Sequence, residues 1–241
     1  GGDYDSGPLK KTVSAISVGI VDGAEAVVGA TLEATNLKPS GASVDYQWLR
    51  ADAEDAADDD YTAIPGANSR TYKLAAADEG KYIKVKVTGK GSRYTGTAIS
   101  EEAIGPVELS AEITAVLSAV NQINDRDQYM NLKALLDQKV KFLTLDLDRE
   151  NYFELEDSRR AIVARDLIEN MPGEGYTLKQ LQDTFAEIAT TRLVFQQSLE
   201  VFMENHDNSG LENIEYIDML IENLLFSPLI GLEKILSSAS I

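Results

Sequence analysis

Cysteine is absent from the 241 residues, and histidine occurs once, as His206. Without cysteine there is no disulfide framework, no thiolate metal site and no cysteine nucleophile. A single histidine, set before Asp207-Asn208-Ser209-Gly210 in a turn-like stretch, reads as a solvated residue. Zinc hydrolysis and triad catalysis both need imidazoles held by partners. No apolar run approaches the roughly 18 residues of a membrane-crossing helix. No signal-peptide pattern is visible, and neither a glycine-rich phosphate loop nor G-x-S-x-G occurs. Basic charge is scarce as well: 22 Lys+Arg face 40 Asp+Glu, a net charge of −18. Such a surface repels nucleic acid, whose binders carry a basic stripe, and attracts divalent cations or cationic partners.

What is present is a composition of globular type, 44% hydrophobic and 26% charged, in a chain long enough for two domains. Residues 1–10 are polar and glycine-rich and read as a linker or tag remnant, the whole as a piece of a longer protein. From 11 to 107 the pattern is strand and turn. Val13, Ile16 and Val18 open a first strand; Ala30–Thr35 and Val44–Leu49 alternate; Asn36–Ala42 is a loop; Asp52–Asp60 is an acidic loop. Tyr61–Ile64, Arg70–Leu74, Lys81–Thr88 and Thr95–Ser100 complete about seven short strands separated by turn signals. Trp48, the only tryptophan, lies on Tyr46-Gln47-Trp48-Leu49-Arg50, and Asp78-Glu79-Gly80-Lys81-Tyr82 feeds the clearest strand. A core Trp and a tyrosine entering a later strand through a D-x-G-x-Y turn are hallmarks of an immunoglobulin-like sandwich. The register is at odds with one hallmark: the apolar face is Ile83, Val85 and Val87, which leaves Tyr82 and Lys84 on the other side. Either a bulge follows Tyr82, or Tyr82 is not the corner tyrosine.

At Gly105-Pro106 the hydrophobic period changes from two to about 3.6. Ile113, Val116, Leu117 and Val120 form a helical stripe. A second helix runs from Asp127 through Leu132, Leu135 and Leu136; Lys139–Asp148 is ambiguous; a third helix spans Asp157–Met171 and stops at Pro172-Gly173. Thr177 with Gln180 resembles a capping box. The helix it opens carries Leu181, Phe185, Ile188, Arg192, Phe195, Leu199 and Phe202 at alternating four- and three-residue steps, with Arg192 alone breaking the apolar seam. That seam reads as bundle core, with an intermolecular coiled coil as the runner-up. A fifth helix over Leu211–Phe226 and a short sixth follow. From Glu108 onward the chain holds 24 acids and 11 bases, against 16 and 11 before it.

The first half resembles an immunoglobulin-like module common in cell-surface and S-layer proteins of Gram-positive bacilli. The resemblance is carried by Val28-Gly29-Ala30-Thr31-Leu32, Tyr46-Gln47-Trp48-Leu49-Arg50, Ile64-Pro65-Gly66-Ala67, Ser69-Arg70-Thr71-Tyr72, Ala77-Asp78-Glu79-Gly80-Lys81-Tyr82-Ile83 and Tyr94-Thr95-Gly96-Thr97. It departs at the long Asp52–Asp60 insertion. The second half is similar to a helical repeat found beside such modules, through Ile113-Thr114-Ala115-Val116, Val120-Asn121, Leu145-Asp146-Leu147, Tyr152, Leu155, Arg160, Val163-Ala164, Leu167-Ile168, Pro172, Gly175-Tyr176-Thr177, Leu181-Gln182 and Phe185. Residues from about Leu199 read as the opening of a truncated second copy. The resemblance implies an extracellular structural role at the bacterial cell surface.

The expected fold class is therefore multi-domain β plus α: an immunoglobulin-like β-sandwich over 11–107, then an all-α helical bundle over 108–241. No residue is assigned a catalytic, cofactor-binding or metal-ligating role, and the chain is read as not an enzyme. Calcium is the one ion the sequence leaves open. Asp52, Glu54, Asp55, Asp58, Asp59 and Asp60 could supply its oxygen ligands, though a flexible solvated insertion kept extended by like charges is the plainer reading. Asp146, Asp148 and Glu150 read as helix-capping residues. An EF-hand at Asn205–Tyr216 fails on spacing, because Tyr216 stands where a bidentate glutamate must be. Lys81, Lys84, Lys86, Lys90 and Arg93 read as a solvated sheet face, and Trp48 as core rather than a sugar platform. Tyr4, Tyr61, Tyr94 and Tyr152 are scattered and form no stacking strip. The expected function is a structural segment of a surface-layer or cell-surface protein. It would provide spacing and lateral self-association, with its own copies or other cell-surface or cell-wall components as partners, and with no nucleic acid and no membrane span. An adhesin or carbohydrate-binding module, or a non-catalytic part of a large exported enzyme, are the alternatives; an exposed Trp48 would favour the adhesin.

Overall fold

The computed structural model describes residues 9–21 and 25–205, without the side chains of Leu199 and 201–205. The fold is mixed β plus α. It divides into two compact units between Thr114 and Ala115.

The first unit is all β among its described strands. They are β1 (Lys11–Thr12), β2 (Ala15–Ile20), β3 (Thr31–Lys38), β4 (Val44–Ala51), β5 (Thr62–Ala63), β6 (Thr71–Lys73), β7 (Tyr82–Gly89), β8 (Tyr94–Thr95) and β9 (Thr97–Ile99). They form a three-stranded sheet in the order β2-β3-β6, a four-stranded sheet in the order β5-β4-β7-β9, and a parallel β1-β8 pair. Strand side chains alternate between faces, so each sheet can turn one row inward. Leu32 and Ala34 from one sheet, and Trp48, Ile83, Val85 and Val87 from the other, join Val13, Ile16, Leu74 and Val107 in one core. β4 and β7 pair without a break from Val44↔Gly89 to Ala51↔Tyr82. No bulge follows Tyr82. It lies on the outer face of the four-stranded sheet, packed with Leu49, Ala51, Tyr61 and Ile99.

The expected loop from Asn36 begins later, because β3 continues to Lys38 across a bulge. Between the pairs Ala15↔Lys38 and Ser17↔Thr35, Asn36 and Leu37 stand opposite Ile16 alone. Asn36 takes φ 54°, a left-handed conformation that asparagine tolerates better than most residues.

The second unit contains most of α1 (Ala111–Asn121), then α2 (Tyr129–Leu136), α3 (Lys139–Thr144), α4 (Arg149–Phe153), α5 (Asp157–Glu169) and α6 (Leu178–Asn205). The ambiguous stretch after Lys139 resolves into two short helices. Asp146 turns left-handed (φ 50°), and the Asp148 carboxylate then accepts the Asn151 N–H at the start of α4. Phe142, Tyr152 and Phe185 meet at centroid distances of 5.3–5.4 Å and are almost wholly buried. Burying each such ring stabilises by roughly 1.5–3 kcal/mol. The capping box at α6 forms in both directions: Gln180 N–H donates to Thr177 Oγ1 (3.2 Å), and Thr177 N–H donates to Gln180 Oε1 (3.0 Å). The expected helices beyond 210, the truncated second copy and the His206 stretch lie outside the described residues.

One closure holds α1 to the turn before α6. Asn121 Nδ2 donates to the Tyr176 carbonyl and Tyr176 N–H donates to Asn121 Oδ1, both at 2.9 Å. Gly175 makes the approach feasible: its φ is +84°, and a Cβ there would stand 2.8 Å from Asn121 Cγ. Gly175→Ala is therefore expected to destabilise this unit by about 1–3 kcal/mol, through left-handed strain plus loss of the Asn121 pair. Urea unfolding followed by circular dichroism at 222 nm checks this; an unchanged midpoint would refute it.

Candidate functional site

Trp48 is fully buried, its indole N–H donates to the Ser69 carbonyl (2.9 Å), and its ring stacks on Tyr72 at 5.7 Å. It offers no face to a sugar. Behind this stack lies a carboxylate that sequence reasoning passed over. Asp78 is 0% exposed. Its Oδ2 accepts from the Tyr72 hydroxyl (2.6 Å) and from Ala75 N–H (2.8 Å), and its Oδ1 faces Arg50 Nη1 at 3.1 Å. Arg50 also donates to the Ala77 carbonyl (3.2 Å). The tyrosine that closes onto this turn is thus Tyr72, on the strand before it, rather than Tyr82. The available signal was the first residue of D-x-G-x-Y, an aspartate two positions before a required glycine (Gly80, φ +74°).

In front of Arg50 and Tyr72 opens a groove of about 580 Å³, bordered by β6 on one side and Ile64–Ser69 on the other. In the second unit a smaller cleft of about 390 Å³ lies among Arg126, Tyr129, Ser158, Ile162 and Arg165. Arg126 there pairs with Glu169 at 2.9 Å.

The six acids of the loop are exposed, as expected, but the loop is not held extended by repulsion. Asp58–Asp60 form a 3-10 turn. Asp58 accepts from Lys84 Nζ at 2.9 Å, Asp52 pairs with Lys81, and Tyr61 behind the loop is buried under Lys84, whose ammonium sits 4.8 Å from the ring centre. This corrects the reading of a solvated face at one member of the run: Lys90 and Arg93 are exposed and Lys81 and Lys86 are half-buried, whereas Lys84 is 7% exposed. Its stem covers apolar surface while its charge reaches the loop carboxylate.

The helical unit repeats the scheme. Arg192, the break in the α6 seam, binds Asp166 of α5 through Nε (2.8 Å) and Nη2, and Arg165 reaches the other oxygen of Asp166 at 3.3 Å. Lys133 Nζ donates to Asp137 (2.7 Å) and Asp157 (2.6 Å), while the Tyr152 hydroxyl donates to Asp137 at 3.1 Å. Buried charge without such partners costs several kcal/mol per ion, and these pairs offset that cost for Lys133, Asp166 and Arg192.

Among the described residues no three His, Cys, Asp or Glu side chains converge as metal ligands. No described helix is long and apolar enough to cross a membrane. No protein-family model matches the chain. No curated protein matches it.

Two outcomes follow from these partners. Removing the buried acid by Asp78→Ala strands the Tyr72 hydroxyl and Ala75 N–H and leaves Arg50 unpaired, and is expected to cost the β unit about 3 kcal/mol, with Tyr72→Phe costing about 1–2 kcal/mol. Trp48 lies in that unit and is the only tryptophan, so its fluorescence in urea reads the loss directly; equal stability of Asp78→Ala and wild type would refute the assignment. Alkali gives the second. Burial pushes the Tyr176 phenol up to about 12, against a smaller downward pull from Thr184, and burial likewise raises Tyr72 and Tyr152. An unfolded tyrosine titrates near 10. The neutral phenols therefore stabilise the fold fully below about pH 10, and that contribution disappears as pH rises through about 12. Absorbance at 295 nm should show a late group of tyrosines, Tyr72, Tyr152 and Tyr176 among them, ionising above pH 10 together with loss of ellipticity. A single step near 10 with ellipticity intact would contradict it.

Proposed function

We propose that this chain is a non-enzymatic structural segment of a bacterial surface-layer or cell-surface protein, located outside the cell. In this reading an immunoglobulin-like β-sandwich is followed by a helical bundle, and the two provide spacing and lateral self-association. The observation that carries the reading is the internal use of reactive side chains. Trp48, Asp78, Asp166, Arg192 and Lys133, the groups best suited to build a binding or catalytic centre, are buried and satisfied by partners of their own unit. The two-sheet core around Trp48 supports the sandwich, and the Phe142, Tyr152 and Phe185 core with the Asp166–Arg192 pair supports the bundle. The resemblance of its sequence motifs to those of Gram-positive surface modules suggests the cellular setting. The adhesin alternative required an exposed aromatic strip, and the burial of Trp48 weighs against it.

With a net charge of −18, copies repel one another until counterions intervene. Sedimentation velocity at rising protein concentration is the test. Association is expected to increase with millimolar calcium more than with sodium chloride of equal ionic strength. A monomer under all conditions, or specific binding on a glycan array, would overturn the structural reading.

A further inference from the structure

We propose that the groove beside β6 takes an extended acidic peptide segment of another protein, added as a strand to the three-stranded sheet. β6 is an edge strand in the order β2-β3-β6. Its pairing with β3 fixes which backbone groups face outward. Ala34 N–H donates to the Arg70 carbonyl and Leu74 N–H to the Ala30 carbonyl, with Leu32↔Tyr72 between them. Residues 70, 72 and 74 therefore turn their amides and carbonyls toward β3. By the alternation of an antiparallel ladder, Thr71 and Lys73 turn theirs toward the groove. That is a short template for one more strand.

Charge selects the guest. The groove is lined by Arg50 and Lys73 and by no aspartate or glutamate, in a protein with 40 acids against 22 bases. Two carboxylates stand nearby, both engaged: Asp78 is buried behind Arg50 and bound by Tyr72 and Ala75, and Glu33, opposite Thr71 on β3, pairs with Arg70 at 3.4 Å. Lys73 disfavours self-pairing: β6 against β6 of a second copy would bring two lysines close together, and like charges across strands destabilise. A strand carrying carboxylates on alternate residues can set one of them against the exposed Lys73 and gains backbone hydrogen bonds from Thr71 and Lys73. At about 3.3 Å per residue, the three residues of β6 and their flanks match a guest of four to five residues. This site is independent of lateral self-association and would stand if that reading failed.

The test uses the whole chain labelled with 15N. The probe is a blocked peptide of six residues alternating valine and glutamate, with a valine–glutamine peptide as control. Shift changes confined to Ile64–Ala77 and at least about fivefold weaker binding of the glutamine peptide are expected, with the difference shrinking in high salt. Lys73→Pro removes an outward donor without touching the β3 ladder and should abolish binding at unchanged Trp48 fluorescence. Lys73→Glu, which keeps the backbone, should weaken the acidic peptide about tenfold or more. Equal binding of both peptides, no shift changes at millimolar peptide, changes elsewhere, binding that survives both variants, or β6-mediated dimerisation of the free chain would each overturn the proposal.

Discussion

The β unit turns on a buried carboxylate. Asp78 lies where the turn before β7 passes under the end of β6, and its oxygens gather a phenol from β6, an amide from Ala75 and a guanidinium from β4. Desolvating a carboxylate costs several kcal/mol. Three hydrogen bonds to a charged group, each worth about 1.5–3 kcal/mol, are of the size needed to offset that cost. The arrangement binds the two sheets to each other: Tyr72 belongs to the three-stranded sheet, Arg50 to the four-stranded one. The same turn also fixes the chain after β9, because Gly80 N–H donates to the Val107 carbonyl and Val107 N–H to that of Lys81. Trp48 stacks on Tyr72, so the apolar core and the polar tie share one residue and constrain each other.

The helical unit solves a register problem by similar means. An amphipathic seam of leucine, isoleucine and phenylalanine would allow α6 to slide by a turn with little loss, since one apolar knob resembles the next. Arg192 removes that freedom. Only one axial position lets its guanidinium meet Asp166, and any other leaves two charges buried apart. Lys133 fixes α2 against the start of α5 in the same manner through Asp157. The departures from apolar patterning thus carry the positional information, while the apolar residues carry the bulk of the stabilisation.

How much of this was legible depended on how local the signal was. Strand alternation, the helix stripes, the Thr177–Gln180 box and Asp148 as a cap are written within a few residues, and they were read near their observed places. The register of Ile83, Val85 and Val87 already separated Tyr82 from the core, and the unbroken β4–β7 ladder resolved the two options it left. What escaped was anything needing two distant segments at once. Asp78 looks like an ordinary turn aspartate until Tyr72 and Arg50 arrive, and Lys84 looks solvated until the Asp58 turn folds over it. The groove at β6 was invisible for the same reason, since it exists only once Ile64–Ser69 borders β4. The Asp52–Asp60 loop was legible as exposed but not as folded: its composition is that of a disordered insertion, whereas Asp52 pairs with Lys81 and Asp58 with Lys84.

That internal neutralisation bears on how the surface behaves. Arg50, Lys84, Lys133, Arg165 and Arg192 lean on carboxylates of their own unit, so much of the scarce positive charge is occupied by folding. The chain as a whole carries an excess of 18 negative charges. At physiological ionic strength such charges act over about 8 Å, which is too short to organise neighbours at a distance but long enough to oppose close approach. Close approach of two copies would then require either a counterion that bridges two carboxylates or an exposed cation. Folding and association draw on separate electrostatics: the first on buried pairs that salt hardly screens, the second on surface charge that salt and divalent ions control. A chain built this way can keep its shape while any contact it makes responds to the ionic medium.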